Sequence, residues 1–116
     1  MNEYDVRIVE KIIGYCAEIS KTHEFFNNDR DLFYNKEKGF VYRNSITMPI
    51  LQIGELTKNL SEAFRQENKS IPWREIMGMR DIFAHHYGAL DYDLAWNTSR
   101  EDVPGLKEQL STLLQQ

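Results

Sequence analysis

Apolar residues recur at three- and four-residue steps along almost the whole chain, and period-two alternation is scarce. That pattern belongs to helices that each bury one stripe. From about Tyr4 to about Phe25, Val6, Val9, Ile13 and Cys16 mark the inward face, broadened by Ile12 and Ile19. Asn27-Asn28-Asp29 is a stop-and-cap signal, and a short second helix is expected around Asp31 to Asn35. Gly39 breaks the pattern before the next segment. The longest helix is expected from about Phe40 to about Glu67, with Ile46, Ile50, Ile53, Leu60 and Phe64 facing inward. Pro49 should kink it, or mark a later start capped by Ser45. Gly54, which costs about 1 kcal/mol against alanine in mid-helix, is read as a place of close helix approach.

Pro72 suits the first turn of a fourth helix, where its missing N–H costs nothing, with Ser70 as the expected cap. That helix carries Trp73, Ile76, Met77, Arg80, Phe83 and Ala84 and runs into His85-His86-Tyr87 before Gly88, a natural terminator. A short helix from about Tyr92 to about Arg100 should be capped by Asp91, and Pro104 should open a last helix with Leu106, Leu110 and Leu113 on one side. Short connections between these segments predict an all-α, up-and-down bundle of five to six helices, in one domain over residues 1–116.

The chain has 116 residues, 41% hydrophobic and 28% charged, which excludes a disordered or membrane-embedded class and allows a core without staples. A single cysteine, Cys16, rules out an internal disulfide and a cysteine-rich metal site, and suits a cytoplasmic location. No apolar run approaches the roughly 20 residues of a membrane helix, and the acidic start does not read as a signal peptide. The formal net charge of −4 counts against a protein that coats nucleic acid, but leaves room for a local basic cleft.

The chemistry concentrates in Gly78-Met79-Arg80-Asp81-Ile82-Phe83-Ala84-His85-His86-Tyr87. Histidine titrates near neutrality, and arginine stays charged and grips phosphate through paired hydrogen bonds. Together they suffice to break a phosphodiester without metal: the imidazole moves a proton and the guanidinium stabilises charge in the transition state. At about 100° per residue, Arg80 and Tyr87 share a helix face, whereas His85 lies roughly 140° round from Arg80. Either the helix ends near His85, or a second copy of the chain completes the site, or both. The alternative reading is structural: His85 capping carbonyls, and Arg80 pairing with Asp81 or a glutamate.

Three further blocks sharpen this. Ile53-Gly54-Glu55-Leu56 with Leu60-Ser61-Glu62, then Ile71 through Asp81, then Trp96 and Glu101-Asp102-Val103-Pro104-Gly105-Leu106 resemble HepT-like proteins of the HEPN class. The resemblance spans about Ile46 to Leu114. It implies a homodimeric, all-helical ribonuclease toxin that needs no cofactor or metal. It also implies an RNA substrate and an antitoxin partner, a small nucleotidyltransferase of the MNT type. By this likeness Arg80 and His85 are the catalytic pair in the dimer cleft, and Tyr87 is the hydroxyl that receives AMP. The chain departs from the family pattern at Asp81, where asparagine is usual, and at His86, where glycine is common. Asp81 can repel RNA or hydrogen-bond His85 and raise its pKa, and His86 is a spare proton carrier or a surface residue. The rival function is a non-catalytic HEPN interaction module that binds a nucleotidyltransferase or a nucleotide.

The remaining residues are assigned to structure. His23 is expected on the surface, Trp73 and Trp96 as core or interface anchors, and Tyr34, Tyr42 and Tyr92 as packing residues. Arg43, Arg65, Lys69 and Arg74 are expected on solvated faces.

Overall fold

The chain starts its first helix where Asn2 Oδ1 accepts the Asp5 N–H at 2.7 Å, with Glu3 and Asp5 favourable in the first turn. The computed structural model describes residues 1–79 and 90–116, and the regular structure there is entirely helical. Helix α1 (Glu3–Phe25) ends at Asn27 and Asn28, whose positive φ angles of 57° and 52° turn the chain away. Asp29 caps the short α2 (Arg30–Tyr34) through the Leu32 N–H. Helix α3 (Phe40–Lys58) follows, then α4 (Glu62–Glu67) and α5 (Trp73–Met77). After the segment outside the described residues come α6 (Tyr92–Asn97), a π-helical turn (Thr98–Asp102) and α7 (Val103–Leu114). The last three run on without a break, so the described residues form six helical stretches.

Two polar contacts fix the directions of the long helices. At one end of α1, buried Asp5 accepts both the backbone N–H and the hydroxyl of Ser61, just beyond α3 (2.9 and 2.7 Å). At the other end, His23 meets Tyr42 in the first turn of α3 and Ser99 just before α7. Helix α1 is therefore antiparallel to both α3 and α7, which supplies the up-and-down character. The seam is apolar: Val9, Ile12, Cys16 and Ile19 of α1 meet Ile46, Ile50 and Ile53 of α3 and Val103, Leu106 and Leu110 of α7, all buried. Val6 and Ile13, expected at the stripe's centre, sit half-buried at its edge, and Ile8 takes an inner place.

Several sequence expectations need correction. The helix expected to reach Glu67 stops at Lys58, because Asp5 holds Ser61 in an extended conformation (φ −63°, ψ 148°) where its hydroxyl caps α4 instead. Helix α3 begins at Phe40 and continues through Pro49, so Ser45 lies inside it and caps nothing. Pro72 stands at the cap position of α5, ahead of its first residue, and Ser70 does not serve as cap. The short helix expected to end near Arg100 instead flows into α7 through the π-helical turn. Pro104, with no N–H to offer and a ring that crowds the carbonyl four residues back, gives a reason for widening the helix there.

Arg43 is not on a solvated face. It is 6% exposed, and its Nη1 donates to the carbonyls of Phe33 and Asn35 (2.6 and 2.7 Å) while Nη2 donates to that of Lys36 (3.1 Å). These carbonyls lie at and beyond the end of α2, where helical partners run out and a cation is welcome. The face of Tyr92 covers the guanidinium at 4.4 Å. Gly39 makes room for this arrangement: a Cβ there would collide with the Leu32 carbonyl and stand 2.6 Å from Arg43 Nη1.

His23, expected at the surface, is 3% exposed. Ser99 Oγ donates to the Trp96 carbonyl at 3.1 Å, so it must accept from His23 Nε2–H at 2.9 Å. His23 Nδ1 is then left to accept the Tyr42 hydroxyl at 2.6 Å. The relay is complete only with a neutral imidazole. Burial, with Arg100 adding like-charge repulsion, lowers the His23 pKa to about 4, and burial pushes Tyr42 up to about 12. Phe26 stacks on Tyr42 at 4.4 Å, and Phe33 and Trp96 close round it.

Two outcomes follow. Since the unfolded chain binds the His23 proton below about pH 6.5 and the folded one only below about 4, this group's stabilisation is complete above 6.5 and fades as pH falls through that window. Urea unfolding at pH 7.5 and pH 4.5 should show a loss approaching about 3 kcal/mol, and His23→Ala should lack that component of the slope. Gly39→Ala should lower stability by about 2 kcal/mol or more through backbone collision and a displaced Arg43, measured by the same titration at pH 7.5.

Candidate active site

Helix α5 leads into the chemistry-bearing segment, and Trp73 is what holds it. Its indole Nε1–H donates to the carbonyls of Arg65 and Asn68 (3.2 and 3.0 Å), and its ring leans on Phe64 at 5.7 Å. Ile71 and Ile76 are buried beside it, so a helix of five residues is fixed from both ends of its apolar side. The sequence expectation that Trp73 and Trp96 anchor the core therefore holds.

Arg80, Asp81, His85, His86 and Tyr87 lie outside the described residues. The described residues on either side of them are Met79 and Leu90, both half-buried and packed against the core. The structure thus positions the two approaches to the segment, and α5 with its flanks forms the nearer one.

Helix α5 divides two surface grooves of opposite charge. Between α4 and α5 is a recess of about 480 Å³ whose described lining includes Arg65, Lys69 and Arg74 together with Glu62 and Glu75. Lys69 and Arg74 are exposed, as expected, but Arg65 is half-buried. Its Nη1 donates to Met77 Sδ at 3.3 Å, and its buried Nε has no hydrogen-bond partner. Among the described residues no carboxylate pairs with Arg65. Across α5, between it and the α6–α7 stretch, lies a larger groove of about 930 Å³. Its described lining includes Glu75, Glu101, Asp102 and Glu108, and neither lysine nor arginine. Among the described residues the first groove is net basic and the second acidic.

The spacing of Arg65, Lys69 and Arg74 gave only part of this shared groove: Arg65 and Lys69, four apart, can share a helix face, but Arg74, nine from Arg65, falls on the opposite side. The turn over Asn68–Ser70, pinned by the Trp73 indole, brings them together. His23, the one histidine among the described residues, is spent on the internal relay and faces no groove. Cys16 is buried with its thiol pushed up to about 12, which excludes a reactive thiolate. Among the described residues no group of His, Cys, Asp and Glu is placed to hold a metal ion, and no helix is long and apolar enough to cross a membrane.

Comparison with known proteins gives the segment its context. The family model described as "HepT-like: Ribonuclease HepT-like" matches residues 7–113. A protein of Caldanaerobacter subterraneus subsp. tengcongensis named "Putative RNase TTE0752" is 32% identical over 94 residues, 73% of this chain and 84% of that protein. "Putative RNase MJ1216" of Methanocaldococcus jannaschii is 32% identical over 112 residues, 96% of this chain and 83% of that one. "Probable ribonuclease HepT" of Thermococcus cleftensis is 41% identical over 61 residues, 53% of this chain and 56% of its own length. No solved structure matches the chain.

Proposed function

The chain belongs to the HepT-like ribonuclease family, and from that premise we propose that it is a metal-independent endoribonuclease of a toxin–antitoxin pair, acting on cytoplasmic RNA as a homodimer. The observation that carries this reading is the run Arg80-Asp81, then His85 and Tyr87, within the span the family model matches. The basic recess of Arg65, Lys69 and Arg74 beside α5 supports it, because RNA approaching the segment meets matching charge there.

In this mechanism His85 takes the proton of a ribose 2′-hydroxyl, whose oxygen attacks the adjacent phosphorus. The bond to the 5′-oxygen breaks, that oxygen leaves with a proton, and a cyclic phosphate remains. Arg80 holds the phosphate and stabilises the charge that builds on its oxygens. Asp81 hydrogen-bonds and orients His85, with His86 as an auxiliary proton carrier. Two copies of the segment across a dimer cleft offset the acidity of the chain as a whole.

Control comes from a small MNT-type nucleotidyltransferase that moves AMP from ATP onto the Tyr87 hydroxyl, releasing pyrophosphate. The new phosphodiester beside Arg80 then occupies the place of RNA phosphate and competes for the same cation. A second reading, a HEPN interaction module that binds such a transferase or a nucleotide without cutting RNA, is favoured by the carboxylate at Asp81.

Purified protein with total RNA in EDTA should release fragments ending in cyclic phosphate. Arg80→Ala and His85→Ala should each lower the rate by about 10²-fold or more while thermal unfolding stays unchanged; full activity in either variant removes the mechanism. Stable RNA binding by the parent protein without cleavage supports the interaction module. The double variant Lys69→Ala/Arg74→Ala should raise KM more than it lowers kcat. Loss of two phosphate contacts should also make the slope of log affinity against log salt shallower by about 1.4.

A further inference from the structure

The described lining of the larger groove is acidic, and its chemistry fits an occupant of the opposite charge. Glu101, Gly105, Glu108 and Thr112 follow one another at steps of four, three and four, so one ridge of the α7 stretch forms its wall. From Glu101 to the end of α7 at Leu114, at about 1.5 Å per residue, that wall is about 20 Å long. Beyond the buried Ile76 and Leu106, half-buried Met79 and Leu113 and the 44% exposed Leu94 give the groove its open apolar lining. Glu75, Glu101, Asp102 and Glu108 surround this apolar strip as exposed carboxylates, and none makes an ion pair among the described residues.

Gly105 adds an independent observation. A glycine inside a helix costs about 1 kcal/mol against alanine, yet no atom lies within 4 Å of a Cβ placed there. Nothing in the described chain needs a glycine at this position. Its absent side chain leaves the groove wall low, where a second backbone can lie close against α7.

We infer that this groove docks a basic amphipathic helix of a partner protein, about four turns long. Its apolar stripe, at i, i+3, i+4 and i+7, covers Met79, Leu94 and Leu113, while flanking lysines or arginines reach the four carboxylates. Charge complementarity selects this occupant over RNA, which carries the wrong sign. Met79 lines the same groove, so the docked helix touches the described residue next to Arg80. The inference stands on the groove alone and does not depend on ribonuclease activity.

The test uses the full chain and a fluorescein-labelled 15-residue leucine–lysine peptide with its leucines in one helical stripe, read by fluorescence anisotropy at about 0.1 M salt. Binding should appear in the micromolar range. It should weaken about tenfold or more in Glu101→Lys/Glu108→Lys and in Gly105→Trp, and hold within about threefold in Gly105→Ala, which keeps the wall low. Circular dichroism of each variant should match the parent. The proposal is overturned if the peptide binds Gly105→Trp as well as the parent, if a composition-matched peptide with a scrambled stripe binds equally, or if single-stranded RNA competes for the same variants. Sedimentation showing that Gly105→Trp splits a dimer, with peptide binding unchanged, assigns the groove to a second copy and equally overturns it.

Discussion

Three stretches of chain far apart in sequence converge on one imidazole. His23 takes the Tyr42 hydroxyl on one nitrogen and gives its proton to Ser99 on the other, and Ser99 hands the chain of bonds on to the Trp96 carbonyl. Such a network, buried and fully satisfied, is worth more as a unit than as separate pairs. It fixes where α1 ends against the start of α3, and it holds the π-helical turn in the register from which α7 descends. The apolar seam supplies most of the driving force for association of α1, α3 and α7, but hydrophobic contact has no direction. The relay decides which ends meet, and Asp5 with Ser61 does the same at the opposite pole.

With the bundle's directions set, α5 has a defined place, and its importance lies in what it separates. Five residues, clamped by an indole that donates to two carbonyls, stand between a basic recess and an acidic groove. A protein of net charge −4 thereby keeps, among its described residues, one net basic recess beside α5 and one acidic groove across it. Global charge alone does not reveal that separation.

Periodicity made the long helices legible. The extent of α1, the position of α2, the caps at Asp29 and Asp91, and the inward faces of α3 and α7 all follow from local rules that neighbouring residues obey together. Two of the misses share one cause. Whether His23 is dry and whether α3 stops at Lys58 are each decided by a partner distant in sequence, whereas Arg43 turns on which way carbonyls seven to ten residues back are directed. For His23 that partner is 76 residues away, and for Ser61 it is 56. No pattern within a window carries that information. The same limit applies to the basic recess, assembled by a turn rather than by a helix face. The family was legible for the opposite reason: its blocks are short and local, and the family model matches residues 7–113, while Arg80, His85 and Tyr87 lie outside the described residues.

Arg43 fixes the link between α2 and α3 by reading only main-chain oxygens, those of Phe33, Asn35 and Lys36. The side chains of Lys36, Glu37 and Lys38 point outward and take no part, while Asn35 shapes the bend by accepting the N–H groups of Glu37 and Lys38. An arginine used in this way makes the corner indifferent to the identity of its outer residues. Those three positions form a natural attachment point, where a dye, an affinity handle or a recoded surface can be carried without disturbing the bundle beneath.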